Sequence, residues 1–122
     1  MYLASSVSLA ALELLVHVGP EDAPDDLVIL EVVLPADAVI ETLDADARAK
    51  VSDWRTHPTP PLEGQALGDA WVQRGETLIL LVPSVIIPHE ENLLLNPAHP
   101  RMADVRVVSV TPFQFDPRLL LG

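Results

Sequence analysis

Apolar residues at helical spacing open the chain. Leu9, Leu12 and Val16 recur on one face of residues 6–17, with Ser5 or Ser6 placed to cap the start and Gly19-Pro20 to stop the run. This predicts a mostly buried helix. The next element, residues 27–34, is a β-branched and leucine run ended by Pro35, and it reads as a strand in the middle of a sheet, with Glu31 turned to one face by the period of two. Residues 36–56 are weakly helical and polar. Three prolines within residues 56–61 predict an extended connector, and residues 65–73 a short helix closed by Gly75. A second apolar strand is expected over residues 77–82. It breaks at Pro83-Ser84, resumes briefly at Val85-Ile86-Ile87, and is followed by an apolar run at 92–95, a Pro-rich turn at 96–100 and an alternating strand at 105–110. Short strands following helices in this irregular order predict an α+β sheet rather than a doubly wound one.

Composition narrows the function classes. The 122 residues are 49% hydrophobic, enough for one core, so a single domain over residues 1–122 is expected. A formal net charge of -11 works against any sequence-independent grip on nucleic acid or anionic lipid. Twelve of the carboxylates lie within residues 1–63, four of them in the loop Glu21-Asp22-Ala23-Pro24-Asp25-Asp26. The absence of Cys excludes disulfides and thiolate zinc sites, and a cytoplasmic home is the default expectation. Residues 9–18 lack a basic leader and carry Glu13 in their middle, so neither a signal peptide nor a membrane span is expected.

Few residues stand out as chemistry. Glu13 sits among Ala10, Ala11, Leu12, Leu14, Leu15 and Val16, where a carboxylate must be paired, exposed at a helix edge, or working. Ser84 lies at a strand break where a hydroxyl either caps a turn or faces a pocket; no G-x-S-x-G context makes it a hydrolase nucleophile. His17, His57, His89 and His99 are scattered singly, so no metal site is expected. Trp71 reads as a core anchor, and Asn92, Asn96 and His99 as residues that hydrogen-bond a tight loop.

Taken in order, short pieces spread along nearly the whole chain resemble the RES domain family. They are Tyr2-Leu3-Ala4-Ser5, Leu9-Ala10-Ala11-Leu12-Glu13 with Val16-His17, Asp53-Trp54-Arg55, Leu67-Gly68-Asp69-Ala70-Trp71 and Val82-Pro83-Ser84-Val85-Ile86-Ile87-Pro88. The series continues through Glu91-Asn92-Leu93-Leu94-Leu95-Asn96-Pro97, His99-Pro100, Pro112-Phe113 and Phe115-Asp116-Pro117-Arg118-Leu119. The resemblance implies an α+β fold with a split β-sheet like that of ADP-ribosyltransferases, binding NAD as substrate and needing no metal. It implies a toxin that depletes NAD by cleaving the nicotinamide–ribose bond, by hydrolysis or phosphorolysis.

Carried over position by position, Glu13 matches the family Glu, Ser84 the family Ser, and Tyr2 the Tyr before the helix. In that chemistry Glu13 stabilises developing positive charge and holds a ribose hydroxyl, Tyr2 stacks on the leaving ring, and Ser84 hydrogen-bonds nearby. The family Arg belongs to an N-terminal strand region with a Gly-Arg-Trp-Asn-like stretch and has no counterpart here, so an N-terminally truncated fold is expected. Arg74, Arg101, Arg106 and Arg118 remain as cations without an assigned place. Two alternatives stand beside the NAD-depleting toxin: a truncated remnant that only binds an antitoxin, and an ADP-ribosyltransferase acting on a protein. The implied partner is an Xre-like helix-turn-helix antitoxin covering Glu13 and Ser84. Apolar residues 78–82, expected to be left uncovered, would favour a homo-oligomer.

Overall fold

A computed structural model describes residues 1–54 and 62–121. Its regular elements are β1 (Tyr2–Ala4), α1 (Val7–Val18), β2 (Leu27–Val33), β3 (Ile40–Thr42), α2 (Ala45–Trp54), α3 (Leu62–Arg74), β4 (Ile79–Pro83), β5 (Glu91–Leu95) and β6 (Arg106–Phe113). Single 3₁₀ turns at Pro20–Asp22, Pro100–Asp104 and Pro117–Leu120 follow the prolines. The connector expected over residues 56–61 lies outside the described residues, as does His57. No helix among the described residues is long and apolar enough to cross a membrane.

The strands form two separate sheets, and the fold is α+β. One sheet has the order β1-β5-β4-β3, with β5 antiparallel to both neighbours and β3 parallel to β4. The other is a ribbon of β2 and β6 alone, antiparallel, with an irregularity between Glu31 and Val32 that leaves Val108 as the extra residue. The residues expected to form a mid-sheet strand therefore pair on one side only, because an apolar run specifies extended backbone without specifying how many neighbours it acquires. The strands β1 and β3 and the start of α2 were hidden in short or polar stretches. Residues 85–87 do not resume the strand, since Ser84 draws their backbone into a turn.

The core lies in the four-stranded sheet. Leu78, Ile79 and Leu95 are its buried centre, with Leu3, Leu34, Ala38, Leu93, Met102 and Val105 packed against it. Within the segment expected to be uncovered, Leu78, Ile79 and Leu80 are all buried, whereas exposed apolar side chains include Val28, Leu30, Val107, Val108 and Val110 of the ribbon. Trp71 is buried as an anchor, its indole N–H donating to Thr77 Oγ1 at 2.9 Å.

Helix α1 begins where Ser6 Oγ accepts from the Leu9 amide at 3.1 Å and ends at Gly19, whose φ of 80° and N–H to the Leu15 carbonyl close the last turn. It is not mostly buried. Only Leu9 is fully covered, while Val7, Leu12 and Val16 face outward. Glu13 follows Leu9 by four residues, so it rises from the same inward stripe.

Candidate functional site

Four side chains from three elements and the β4–β5 loop meet at the inner stripe of α1. Alternation along β5 sends Leu93 and Leu95 to the core face and Asn92 and Leu94 to the other. The register sets Asn92 beside Ala4 of β1 and Val82 of β4, and Tyr2 beside Leu94. Tyr2, Asn92 and Leu94 therefore share the face that α1 approaches with Glu13.

Glu13 is held by one oxygen. Its Oε1 accepts from Ser84 Oγ at 2.9 Å and from Asn92 Nδ2 at 2.7 Å. Ser84 is fully buried just after β4, and its Oγ accepts from the amides of Ile86 at 3.1 Å and Ile87 at 3.0 Å. It caps the turn and serves the site at once, because an oxygen that accepts from backbone N–H groups still has its own proton to give. The Ser84 amide donates to the Glu90 carbonyl at 2.8 Å, and His89 at φ 69° takes the left-handed conformation that turns this loop back into β5. The Ser84 hydroxyl is thus committed on both its donor and acceptor sides.

Tyr2 closes the cluster. Its Oη lies 2.7 Å from Asn92 Nδ2. The residue as a whole is 53% exposed, yet its hydroxyl end lies against an Asn that is fully buried. Burial of that end, with the Glu13 charge adding to it, pushes the phenol up to about 12, the Asn92 hydrogen bond pulling the other way. The hydroxyl therefore keeps its proton at neutral pH.

The structure brings together all three residues that the sequence singled out, Glu13, Ser84 and Tyr2. It adds Asn92, which sequence reasoning grouped with Asn96 and His99 as a loop residue. That grouping holds for the other two: Asn96 Oδ1 accepts from the Ala98 amide and His99 Nδ1 from the Arg101 amide. The signal that could have separated Asn92 is its place at the head of Leu93-Leu94-Leu95, where a polar side chain on a buried strand needs partners.

Among the described residues, the ion-paired arginines are engaged away from this cluster. Arg74 pairs with Glu41 at 2.6 Å, Arg101 with Asp37 and Asp104, and Arg118 with Asp116. Arg48 of α2, paired with Glu91 at 2.9 Å, is tied to the residue next to Asn92, but alternation turns Glu91 to the opposite face. A cleft of about 340 Å³ lined by Met1, Gln65, Asp69, Trp71 and Leu94 has none of the four site residues in its wall. The chemistry of the donors fits one end of a dinucleotide: a carboxylate whose Oε2 accepts no hydrogen bond among the described residues, beside a half-exposed aromatic ring, suits a ribose bearing a planar base.

The RES domain model matches residues 1–116, and the chain belongs to that family. Among its relatives, Toxin Res of Photorhabdus laumondii is 40% identical over 97 residues, covering 80% of this chain and 60% of that protein. Toxin Res of Yersinia enterocolitica is 37% identical over 121 residues, covering 98% of this chain and 76% of that protein. The Prs ADP-ribosylating toxin of a Sphingobium species is 34% identical over 120 residues, covering 98% of this chain and 74% of that protein.

Proposed function

We propose that this chain, as one domain, takes NAD as substrate and cleaves its nicotinamide–ribose bond, with Glu13 as the catalytic carboxylate. The observation that carries the reading is the posture of Glu13: Oε1 is pinned by Ser84 and Asn92 while Oε2 accepts nothing among the described residues. In the reaction the C1′–N bond breaks, its electron pair leaves with nicotinamide, and C1′ passes through an oxocarbenium-like state. Water then adds to C1′ and releases a proton, giving ADP-ribose; phosphate in its place gives the phosphorylated sugar.

Glu13 acts on the charge that develops. An oriented carboxylate near C1′ stabilises the cation in the transition state more than the already charged ground state, since it need not reorganise. Its open oxygen accepts a ribose hydroxyl and so fixes the sugar. The Tyr2 ring supplies a flat face for the leaving base. Nicotinamide release from NAD by the purified protein is the test. Glu13→Gln keeps the shape and removes the charge, and release should fall by roughly 100- to 1,000-fold; a wild-type rate in that variant would remove Glu13 from the mechanism.

A second reading, transfer of ADP-ribose to a protein, is favoured by the similarity to the Prs ADP-ribosylating toxin of the Sphingobium species. It uses the same bond cleavage with a protein nucleophile as acceptor, and radiolabel from NAD appearing in protein rather than in free ADP-ribose distinguishes the two. The toxin reading also carries a cytoplasmic location, where NAD is, and a neighbouring antitoxin. At a net charge of -11 the chain would reach DNA through a basic helix-turn-helix partner of the Xre kind. Co-elution with that partner, and loss of nicotinamide release when it is bound, would support the pairing; independent elution would end it.

A further inference from the structure

We infer that Asn92 is a positioning residue of this site, one whose amide both fixes the Glu13 carboxylate and turns the Tyr2 hydroxyl into a hydrogen-bond donor toward bound substrate. Its catalytic consequence rests on the NAD-cleaving reading above; its geometric consequence does not.

The argument starts from an arrangement that packing alone does not favour. Asn92 is fully buried on β5, in a strand otherwise rich in leucine, and its Oδ1 has no hydrogen-bond partner among the described residues. A buried unpartnered acceptor is costly, and a leucine of nearly the same shape would remove that cost. What the amide gains is on its other side. The two Nδ2 hydrogens reach Glu13 Oε1 and Tyr2 Oη, each at 2.7 Å.

The orientation of that amide follows from Glu13. A carboxylate only accepts, so rotating Asn92 by half a turn would set Oδ1 against Oε1, acceptor against acceptor. With Nδ2 fixed in this way, Tyr2 Oη receives a hydrogen from Asn92 and its own proton must lie in the other in-plane direction, away from the amide. Burial and the Glu13 charge keep that proton in place. The site then presents two distinct groups, an acceptor at Glu13 Oε2 and a donor at Tyr2, which suit a sugar hydroxyl and an acceptor oxygen of the same substrate.

Raman spectroscopy of the full chain tests the geometry without substrate, because Tyr2 is its one tyrosine. The tyrosine Fermi doublet distinguishes a phenolic oxygen that accepts from a hydroxyl that donates strongly. The wild type should show the accepting pattern. Asn92→Asp, which replaces the donor by an acceptor of the same shape, should invert it, and Asn92→Leu should fall between.

The same variants are then assayed for nicotinamide release. Asn92→Leu should lower kcat by roughly 10- to 100-fold through misplacement of Glu13, with KM moved far less. A doublet unchanged in Asn92→Asp would overturn the inference, as would an unchanged kcat in Asn92→Leu alongside an active wild type. If Asn92→Leu does not fold, the aspartate variant and Tyr2→Phe decide: loss of the donor in Tyr2→Phe should raise KM for NAD severalfold, and an unchanged KM counts against it. Absence of turnover in the wild type would sink the NAD-cleaving reading while leaving the doublet to judge Asn92.

Discussion

Two carboxylates in this chain each accept a hydrogen bond from a serine across a strand boundary, and only one of them builds a site. Glu13 takes its bond from Ser84 at 2.9 Å, and Glu31 takes one from Ser109 at 3.2 Å. The difference is the sheet behind each. Ser84 and Asn92 are fully buried beside a sheet whose centre, Ile79 and Leu95, is as deeply covered, so Glu13 is held by groups that cannot move aside. Glu31 and Ser109 pair on the two-stranded β2–β6 ribbon, where Glu31 is itself exposed and water competes for the contact. The same residue pair is thus fixed by a covered sheet and left idle by an open ribbon.

Breaking the covered sheet should give the largest effect. Leu95 pairs with Ile79 in the core of β4 and β5 and is 1% exposed. Leu95→Ala should lower unfolding free energy by about 2–5 kcal/mol, read from urea denaturation, because the removed atoms leave a cavity that strands paired on both sides cannot close. A loss below about 1 kcal/mol would place the stabilising core elsewhere.

The serine comparison is sharper. Ser84→Ala leaves the amides of Ile86 and Ile87 without the hydroxyl they donate to and Glu13 Oε1 with Asn92 in place of two donors, and should cost about 1–3 kcal/mol. Ser109→Ala removes a single exposed contact and should stay within about 0.5 kcal/mol. Equal losses would remove the distinction between the two carboxylates.

These positions also show what was legible in the sequence. Helix α1 was, because Ser6, the apolar spacing and Gly19-Pro20 are local signals read by local hydrogen bonds. Glu13 and Ser84 stood out locally, as a carboxylate in an apolar helix and a hydroxyl at a strand break, but Tyr2 and the joining of the three entered through family resemblance, since nothing local says that residues 13 and 84 meet. Asn92 stayed hidden because its role depends on strand register: one residue earlier or later, alternation would have turned it to the core face. The partnering of β2 was equally unreadable. Residues 27–33 and 79–83 are both apolar runs, and only the placing of β1, β3 and β5 around β4 makes one of them central.

Alkaline pH offers a smaller effect, confined to the covered side. Tyr2 titrates at about 12 in the fold against 10.0 for an ordinary phenol. Below pH 10 both folded and unfolded chains keep the proton, and stability is whole. Between the two values only the unfolded chain releases it, so stability falls as pH rises, the direction expected for a group whose folded pKa is raised. The exposed face of the ring moderates the size. Unfolding measured from pH 9 upward should show a decline in the wild type that is shallower in Tyr2→Phe; identical slopes would mean that the hydroxyl is not buried against Asn92.

The smallest effect is expected on the ribbon. Val110 is 61% exposed and faces Leu30, itself 54% exposed. Val110→Thr keeps a β-branched side chain of nearly the same volume, so strand preference and χ1 restriction are preserved. The new hydroxyl stays in water, where it costs no desolvation, and little apolar area is lost because little was covered. The change should therefore stay within about 0.5 kcal/mol by urea denaturation at two protein concentrations tenfold apart. A loss above about 1 kcal/mol, or one that grows with concentration, would show that the outer face of β2 and β6 is covered in solution. The ribbon would then be as much a packed sheet as β4 and β5 on the face that Leu30 and Val110 share.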